Sequence, residues 1–395
     1  MKKTTVTKQE TAKTHSSKTF PSASITSFSD SNRSKSDFKF GEVFLKAIFL
    51  TAGITILMLL ITALGIGIWS YGQFQKFLTI AKLDRASLIE ELKTGWQTAP
   101  IADQDHKNIL LLGTDTTADR SNFPTLTDTI MLFSINLKNG EINTLPLPRD
   151  LWSDVYQTKI NALYIYGQER YPDNPEQFTA EVVQEMTGIP IHHTLVLSLD
   201  QLQELIDLVD GVEIKVEKGF TDPLYPKSDV DVSVETDPEI LYETIVFEAG
   251  EQKLSGPRAL QYIRSRHSED EQGHDLARGA RQQQVIAALI TKLTNYKLFL
   301  TQPELAAKLY VFYQRDFAKA LSLPELVATI KTLLPYRENL EFTSHQLSDI
   351  DDDPTDGVLD NPARLSIYQY QWVYIITDEQ KFQTLVQEKL ILGHN

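Results

Sequence analysis

The sequence predicts a layered α/β domain, with helices covering a mixed sheet, carried behind one membrane-spanning helix. Three observations lead there. Ala47–Trp69 is an apolar stretch of about 23 residues without a charged side chain, enough to cross roughly 30 Å of hydrocarbon. Downstream of it, short apolar runs alternate with segments of helical periodicity, the pattern of helices packed on a sheet. With 395 residues and 42% hydrophobic content, the chain can furnish one large core plus appendages.

Residues 1–46 hold nine Lys/Arg and four Asp/Glu. This Ser/Thr/Lys-rich tail has few large apolar residues before Phe38 and is expected to be disordered. Its excess of positive charge, under the positive-inside rule, keeps it in the cytoplasm and sends the C-terminal bulk outside. A leader of this length is too long for a cleaved signal peptide, so 47–69 reads as a retained single-pass anchor in a cell membrane. Beyond residue 46 there remain 29 basic and 49 acidic side chains. So acidic a surface repels nucleic acid. The chain has no cysteine, which excludes disulfides and cysteine-ligated metals.

Residues 70–104 read as a helical stalk and linker. Phe74, Phe77, Leu78, Ile80, Leu83, Leu88, Ile89 and Leu92 have rough helical spacing, and the reading places no break among them. The globular domain, 105–395, opens with Asn108–Gly113, a continuous apolar run that reads as a strand buried on both faces. Strands are expected at 129–136 and 141–147, joined at Asn139-Gly140, a strong hairpin signal. An amphipathic helix at 176–187 is stopped by Gly188 and Pro190. A strand at 193–199, a helix at 200–209 capped by Asp200 and a strand at 212–216 follow. Further helices are expected at 256–264, 275–294, 302–313 and 323–334, and a late strand at 371–377.

Two arginine-bearing segments, Leu147-Pro148-Arg149-Asp150 and Tyr262-Ile263-Arg264-Ser265-Arg266, carry the chemistry. Asp275, Arg278, Arg281 and Gln282 follow the second. Guanidinium groups stay charged and present forked donors that match phosphate oxygens in pairs, so arginines from separate segments suit a pyrophosphate. Asp115 and Asp128 could hold a hard divalent cation, Mg²⁺ or Mn²⁺, against the same phosphates. Taken singly, each has an ordinary explanation: an isolated Asp after a strand usually caps a turn, and a helical arginine is usually solvated. The acidic run around Asp349–Asp356 has Pro354 where a calcium loop needs glycine, and reads as a solvated loop.

At these residues the chain resembles the LytR-CpsA-Psr family, membrane-anchored bacterial proteins that attach glycopolymers to the cell wall. The matching pieces are Ile109–Asp115, Thr127–Met131, Pro148–Asp150, Lys159–Ala162, Gly211–Ile214, Ala259–Arg266 and Asp275–Gln283, in family order. The resemblance implies a three-layer α/β/α extracellular domain with an apolar pocket for a polyprenyl chain. It implies transfer of a phospho-glycan from a polyprenyl-pyrophosphate carrier to peptidoglycan or another wall acceptor. Asp115 and Asp128 would then place the metal, and Arg149, Arg264, Arg266, Arg278 and Gln282 would bind the pyrophosphate, supported by Asp275 and Arg281. Alternatives are a polyprenyl pyrophosphate hydrolase and a non-catalytic lipid-binding or regulatory envelope protein. Thr117 and Leu126 stand where many members have arginine; either Arg120 reaches in, or the phosphate cluster is thinner here.

Overall fold

A computed structural model describes residues 37–114, 125–227, 237–268, 271–273, 275–295, 301–338, 340–350, 353–355 and 357–392. The chain divides into two compact units, Met1–Trp69 and Ser70–Asn395. Within the first, the helix that begins at Asp37 shows exposed apolar side chains on every side from Ile54 to Trp69. A helix apolar all round belongs in a protein core or in a membrane, and this one has no protein packed around it. Its segment Thr51–Ala81 is long and apolar enough to cross a membrane.

The second unit opens with a departure from the expected continuous stalk. The first helix ends at Ala81, where Lys82 turns left-handed at φ 52° and the Leu83 amide closes onto the Leu78 carbonyl at 3.0 Å. Asp84 then caps a new helix, Arg85–Gln97, by accepting from the Ser87 amide at 2.9 Å. The left-handed Lys82, which closes the old helix, and Asp84, which caps the new one, together make the break. The new helix packs on Leu323–Leu333, with Leu78, Leu88 and Leu323 buried between Phe74, Phe77 and Val327. Lys331 donates to the Trp96 and Thr98 carbonyls at 2.9 and 2.7 Å and so satisfies its C-terminal end.

The central sheet contains β1 (His106–Thr114), β2 (Thr127–Asn136), β3 (Ile142–Leu147), β4 (His193–Ser198) and β5 (Phe342–Ser344), in the order β5-β3-β2-β1-β4. The β1–β2 and β2–β3 pairs are antiparallel, while β1–β4 and β3–β5 are parallel. The sheet is therefore mixed. Gly140, at φ 84°, makes the β2–β3 turn as its Asn-Gly pair predicts.

Alternation along the strands sends side chains to two faces. Leu110, Leu112, Ile130, Leu132 and Leu145 face a layer that includes Phe178 and Val182 of the Glu176–Thr187 helix and Phe382 and Val386 of Glu379–Gln387. Ile109, Leu111, Met131 and Phe133 face the other way, onto Ile286 and Ile290 of the Asp275–Leu293 helix. Helices thus cover both faces, as a three-layer α/β/α domain requires. A further cluster joins Leu199–Leu208 and Gly256–Arg264 to two small antiparallel pairs, Val212–Val216 with Gly250–Leu254 and Phe220–Pro226 with Tyr242–Phe247.

Several boundaries differ from expectation. Ser198, not Asp200, caps the 199–208 helix, through a reciprocal pair with Gln201. The expected late strand shrinks to Ile375–Ile376. The strand expected at 212–216 is present with those bounds, in a side pair outside the central sheet. Beneath the linker, buried Lys107 contacts Glu325 and lies 3.0 Å from His193 Nε2, while the Ile101 amide donates to Glu325 at 2.8 Å. Burial lowers the affinity of Lys107 for its proton more than Glu325 raises it.

Candidate functional site

The C-terminal end of β1, the start of β2 and the helix Asp275–Leu293 enclose a cleft of about 250 Å³. That is slightly below the roughly 300 Å³ at which small-molecule pockets begin. Gly113 forms part of its wall, where any Cβ would come within 2.8 Å of Thr129 Cβ. Leu111, Leu197, Leu199, Leu202, Ile263 and Ile286 provide an apolar lining. Asp128, Arg264, Arg266, Arg278 and Gln282 provide the polar one.

Each polar residue has a local reason to be there. Arg278, Gln282 and Ile286 are four apart and form one stripe of their helix. Gln282 accepts from the Thr129 hydroxyl at 3.3 Å, tying that stripe to β2. Arg149 follows β3 through a turn closed by the Leu151 amide on the Pro148 carbonyl. It is not itself a lining residue, but its Nη1 donates to Asp128 at 2.8 Å. Arg266 reaches the other oxygen of the same carboxylate at 3.7 Å. Two arginines more than a hundred residues apart in sequence therefore share one anion.

Asp150 takes Lys159 at 2.6 Å and the Arg149 Nε at 3.3 Å, so Arg149 is held from both sides. Arg264 ends the Gly256–Arg264 helix and lines the cleft beside Tyr225. Burial pushes the Tyr225 phenol up, and the nearby Arg264 charge opposes it. Tyr225 was missed by the sequence reading, which assigned no element between 217 and 255.

Arg281, expected to support the substrate-binding residues, stands behind them. It is 3% exposed, and its Nε, Nη1 and Nη2 donate to the carbonyls of Tyr262, Gln272 and Ser265 at 2.7, 2.8 and 2.7 Å. It supports the cluster from beneath and does not line it. Asp222 also escaped the sequence reading. Fully buried, it accepts from the Ser265 hydroxyl and from the Arg266 and His267 amides at 2.7, 3.0 and 3.2 Å. Burial pushes its carboxyl upward, but Ser265 and the three amides of His267, Leu224 and Arg266 outweigh that and hold it below the usual range.

Asp115, Thr117 and Arg120 lie outside the described residues, and so does the side chain of Asp275, the first residue of its helix. Among the described residues no cluster of three or more His, Cys, Asp or Glu could hold a metal by itself. Asp128 supplies one carboxylate at the cleft wall. Mg²⁺ commonly takes one or two carboxylates and completes its shell with water and phosphate, so this donor set fits a phosphate-dependent ion and not a preformed cage.

The chain is similar to several known proteins. The TagU protein of Bacillus mycoides, named polyisoprenyl-teichoic acid–peptidoglycan teichoic acid transferase, is 25% identical over 256 residues, spanning 64% of this chain and 72% of its own length. TagV of Bacillus subtilis, with the corresponding name, is 32% identical over 174 residues, 42% of this chain and 39% of TagV. Among solved structures, B. subtilis TagV aligns with a TM-score of 0.47 at 21% identity, over 73% of this chain and 98% of that one. YwtF (TagT) with bound octaprenyl pyrophosphate lipid aligns at 0.44 and 21%, over 73% and 91%. The LytR_cpsA_psr family model matches residues 75–360, more than half the sequence, and the chain belongs to that family.

Proposed function

We propose that this protein is a cell-envelope transferase that moves a phospho-glycan from a polyprenyl-pyrophosphate carrier to a hydroxyl of peptidoglycan or a related wall polymer. The observation that carries the reading is the shared carboxylate: Arg149 and Arg266 already converge on one anion beside a cleft with an apolar lining. Family membership and the transferase names of the relatives support it.

In this reading the prenyl tail rests against Leu197, Leu199 and Ile263, and Arg264, Arg266, Arg278 and Gln282 hold the pyrophosphate, joined by Arg149 as it exchanges Asp128 for a phosphate oxygen. The acceptor hydroxyl attacks the glycan-side phosphorus, and its proton passes to the departing phosphate. The bond from that phosphorus to the bridging oxygen breaks, and polyprenyl monophosphate leaves. No protein nucleophile is required, because phosphoryl transfer depends mainly on positioning and on neutralising charge. Asp128, together with Asp115, would hold a Mg²⁺ ion, which would supply Lewis-acid neutralisation of the phosphate oxygens. The positive N-terminal tail and the one membrane-length apolar helix among the described residues support an anchor with its N-terminus in the cytoplasm and the α/β domain outside.

Product analysis with a lipid-linked glycan, with and without peptidoglycan, tests the reading. Phosphodiester-linked glycan on the acceptor together with polyprenyl monophosphate is the expected result. Release of free glycan phosphate regardless of acceptor would make the protein a hydrolase, and binding without turnover would make it a lipid carrier.

A further inference from the structure

The Arg264–Ser265–Arg266 segment is held through its backbone from two sides. Arg281 takes the carbonyls of Tyr262 and Ser265. Asp222 takes the Ser265 hydroxyl and the next two amides on a single oxygen, Oδ2, while its Oδ1 accepts from the Leu224 amide at 3.0 Å. The helix has just ended: Ser265 leaves it at φ −56° and ψ 134°, so the Arg266 and His267 amides are free to turn toward a side chain. Asp222 is delivered by an irregular strand pair whose register shifts between Asp222 and Tyr225, around Pro223. Such bulges re-aim side chains beside sites. The carboxylate has no exposed surface and is not part of the cleft lining. The imidazole of His267 stands 3.8 Å from it. A buried carboxylate engaged mainly by neutral donors is an expensive way to hold a loop, since a charge without a full counter-charge must be desolvated. Its geometric effect is to fix the backbone from which Arg264 and Arg266 project.

We propose that Asp222 is a positioning residue for the phosphate site: by holding the Ser265–His267 backbone it sets where the Arg264 and Arg266 guanidinium groups stand. The inference rests on the phosphate-binding reading above. It concerns a residue that acts through others and touches no ligand.

The test uses the full-length protein in detergent micelles, with geranylgeranyl pyrophosphate as probe and geranylgeraniol as the uncharged control. Asp222→Asn should weaken pyrophosphate binding about tenfold and leave the alcohol's binding unchanged, because a displaced arginine affects only the charged end. In an Arg266→Ala background the same change should weaken binding less than about threefold, as expected when two residues act through one contact. Hydrogen exchange at the Arg266 and His267 amides should accelerate about tenfold in Asp222→Asn, with the interior of the Gly256–Arg264 helix unaffected. If Asp222→Asn does not fold, Ser265→Ala removes one of the three donors and should show a smaller loss with the same dependence on Arg266. Equal binding by wild type and variant, or effects of Asp222→Asn and Arg266→Ala that simply multiply, would overturn the positioning role while the phosphate reading stood. A wild-type protein that ignores the pyrophosphate would remove the phosphate reading, and with it any ligand for Asp222 to serve.

Discussion

Arg149 donates to Asp128 at 2.8 Å, and this bond joins the end of β3 to the start of β2 at the cleft. With Arg266 at 3.7 Å on the other oxygen, the Asp128 carboxylate neutralises in advance part of a cluster of cations that would otherwise repel one another. A ligand phosphate must compete with Asp128 for both arginines. That competition organises the first two predictions.

Arg149→Ala should weaken binding of a polyprenyl pyrophosphate about 10- to 100-fold, the roughly 1.4–2.8 kcal/mol expected for losing a charge-assisted hydrogen bond. Lys159 still holds Asp150 at 2.6 Å, so the turn should survive. Isothermal titration of wild type and variant measures the difference. An unchanged affinity would remove Arg149 from the clamp.

Asp128→Asn keeps the shape and discards the charge, and two opposite effects should follow. Turnover with Mg²⁺ should fall about 100-fold, the scale of losing a key electrostatic group. In a chelator, where no metal needs the carboxylate, the freed arginines should bind the pyrophosphate more tightly than in wild type. Full Mg²⁺-dependent turnover by the variant would show that Asp128 holds no metal, and weaker binding in chelator would show that it does not compete for the arginines.

Glu325→Gln should destabilise the domain by about 3 kcal/mol, because it strands the buried Lys107 ammonium. Burial pushes the Glu325 carboxyl up, but its bonds to Lys107 and the Ile101 amide outweigh that and hold it below its usual range. A depressed carboxylate stabilises above its unfolded pKa and loses that contribution as pH falls through its folded one. Thermal melts should therefore show wild type losing stability on acidification below about pH 4.5, with the slope reduced in Glu325→Gln. Parallel pH profiles for the two proteins would exclude Glu325 as the source.

Placement of the α/β domain outside the cell can be checked in the cysteine-free background. Asn395→Cys should react with a membrane-impermeant maleimide on intact cells. Labelling that appears only after lysis would reverse the topology and the wall function with it.

Local pattern made much of this molecule legible. The apolar run at 108–113, the Asn139-Gly140 turn and the amphipathic 176–187 helix each obey rules that need only neighbours in sequence. The Phe220–Pro226 strand contains Asp222-Pro223, a pair that suggests a turn, and it forms because of a partner some twenty residues on. β5 is three residues long, and only β3, two hundred residues earlier, makes it a strand. The site divides in the same way. Arginine-rich segments announce themselves, whereas Asp222 joins Ser265 across 43 residues and reads locally as loop chemistry. Arg278 and Arg281 look equivalent three apart on a helix, and only packing sends one to the cleft and the other beneath it.

Gly95 lies so near the Leu323–Leu333 helix that a Cβ there would collide with the Pro324 carbonyl oxygen and stand 2.7 Å from Val327 Cβ. The segment before the sheet is thus part of the folded body. Proteolytic shedding has a corresponding geometry: a cut ahead of Phe74 would release a particle with its seam intact. A cut near Pro100 would leave the apolar faces of Leu323 and Val327 open to water, and the fragment should aggregate.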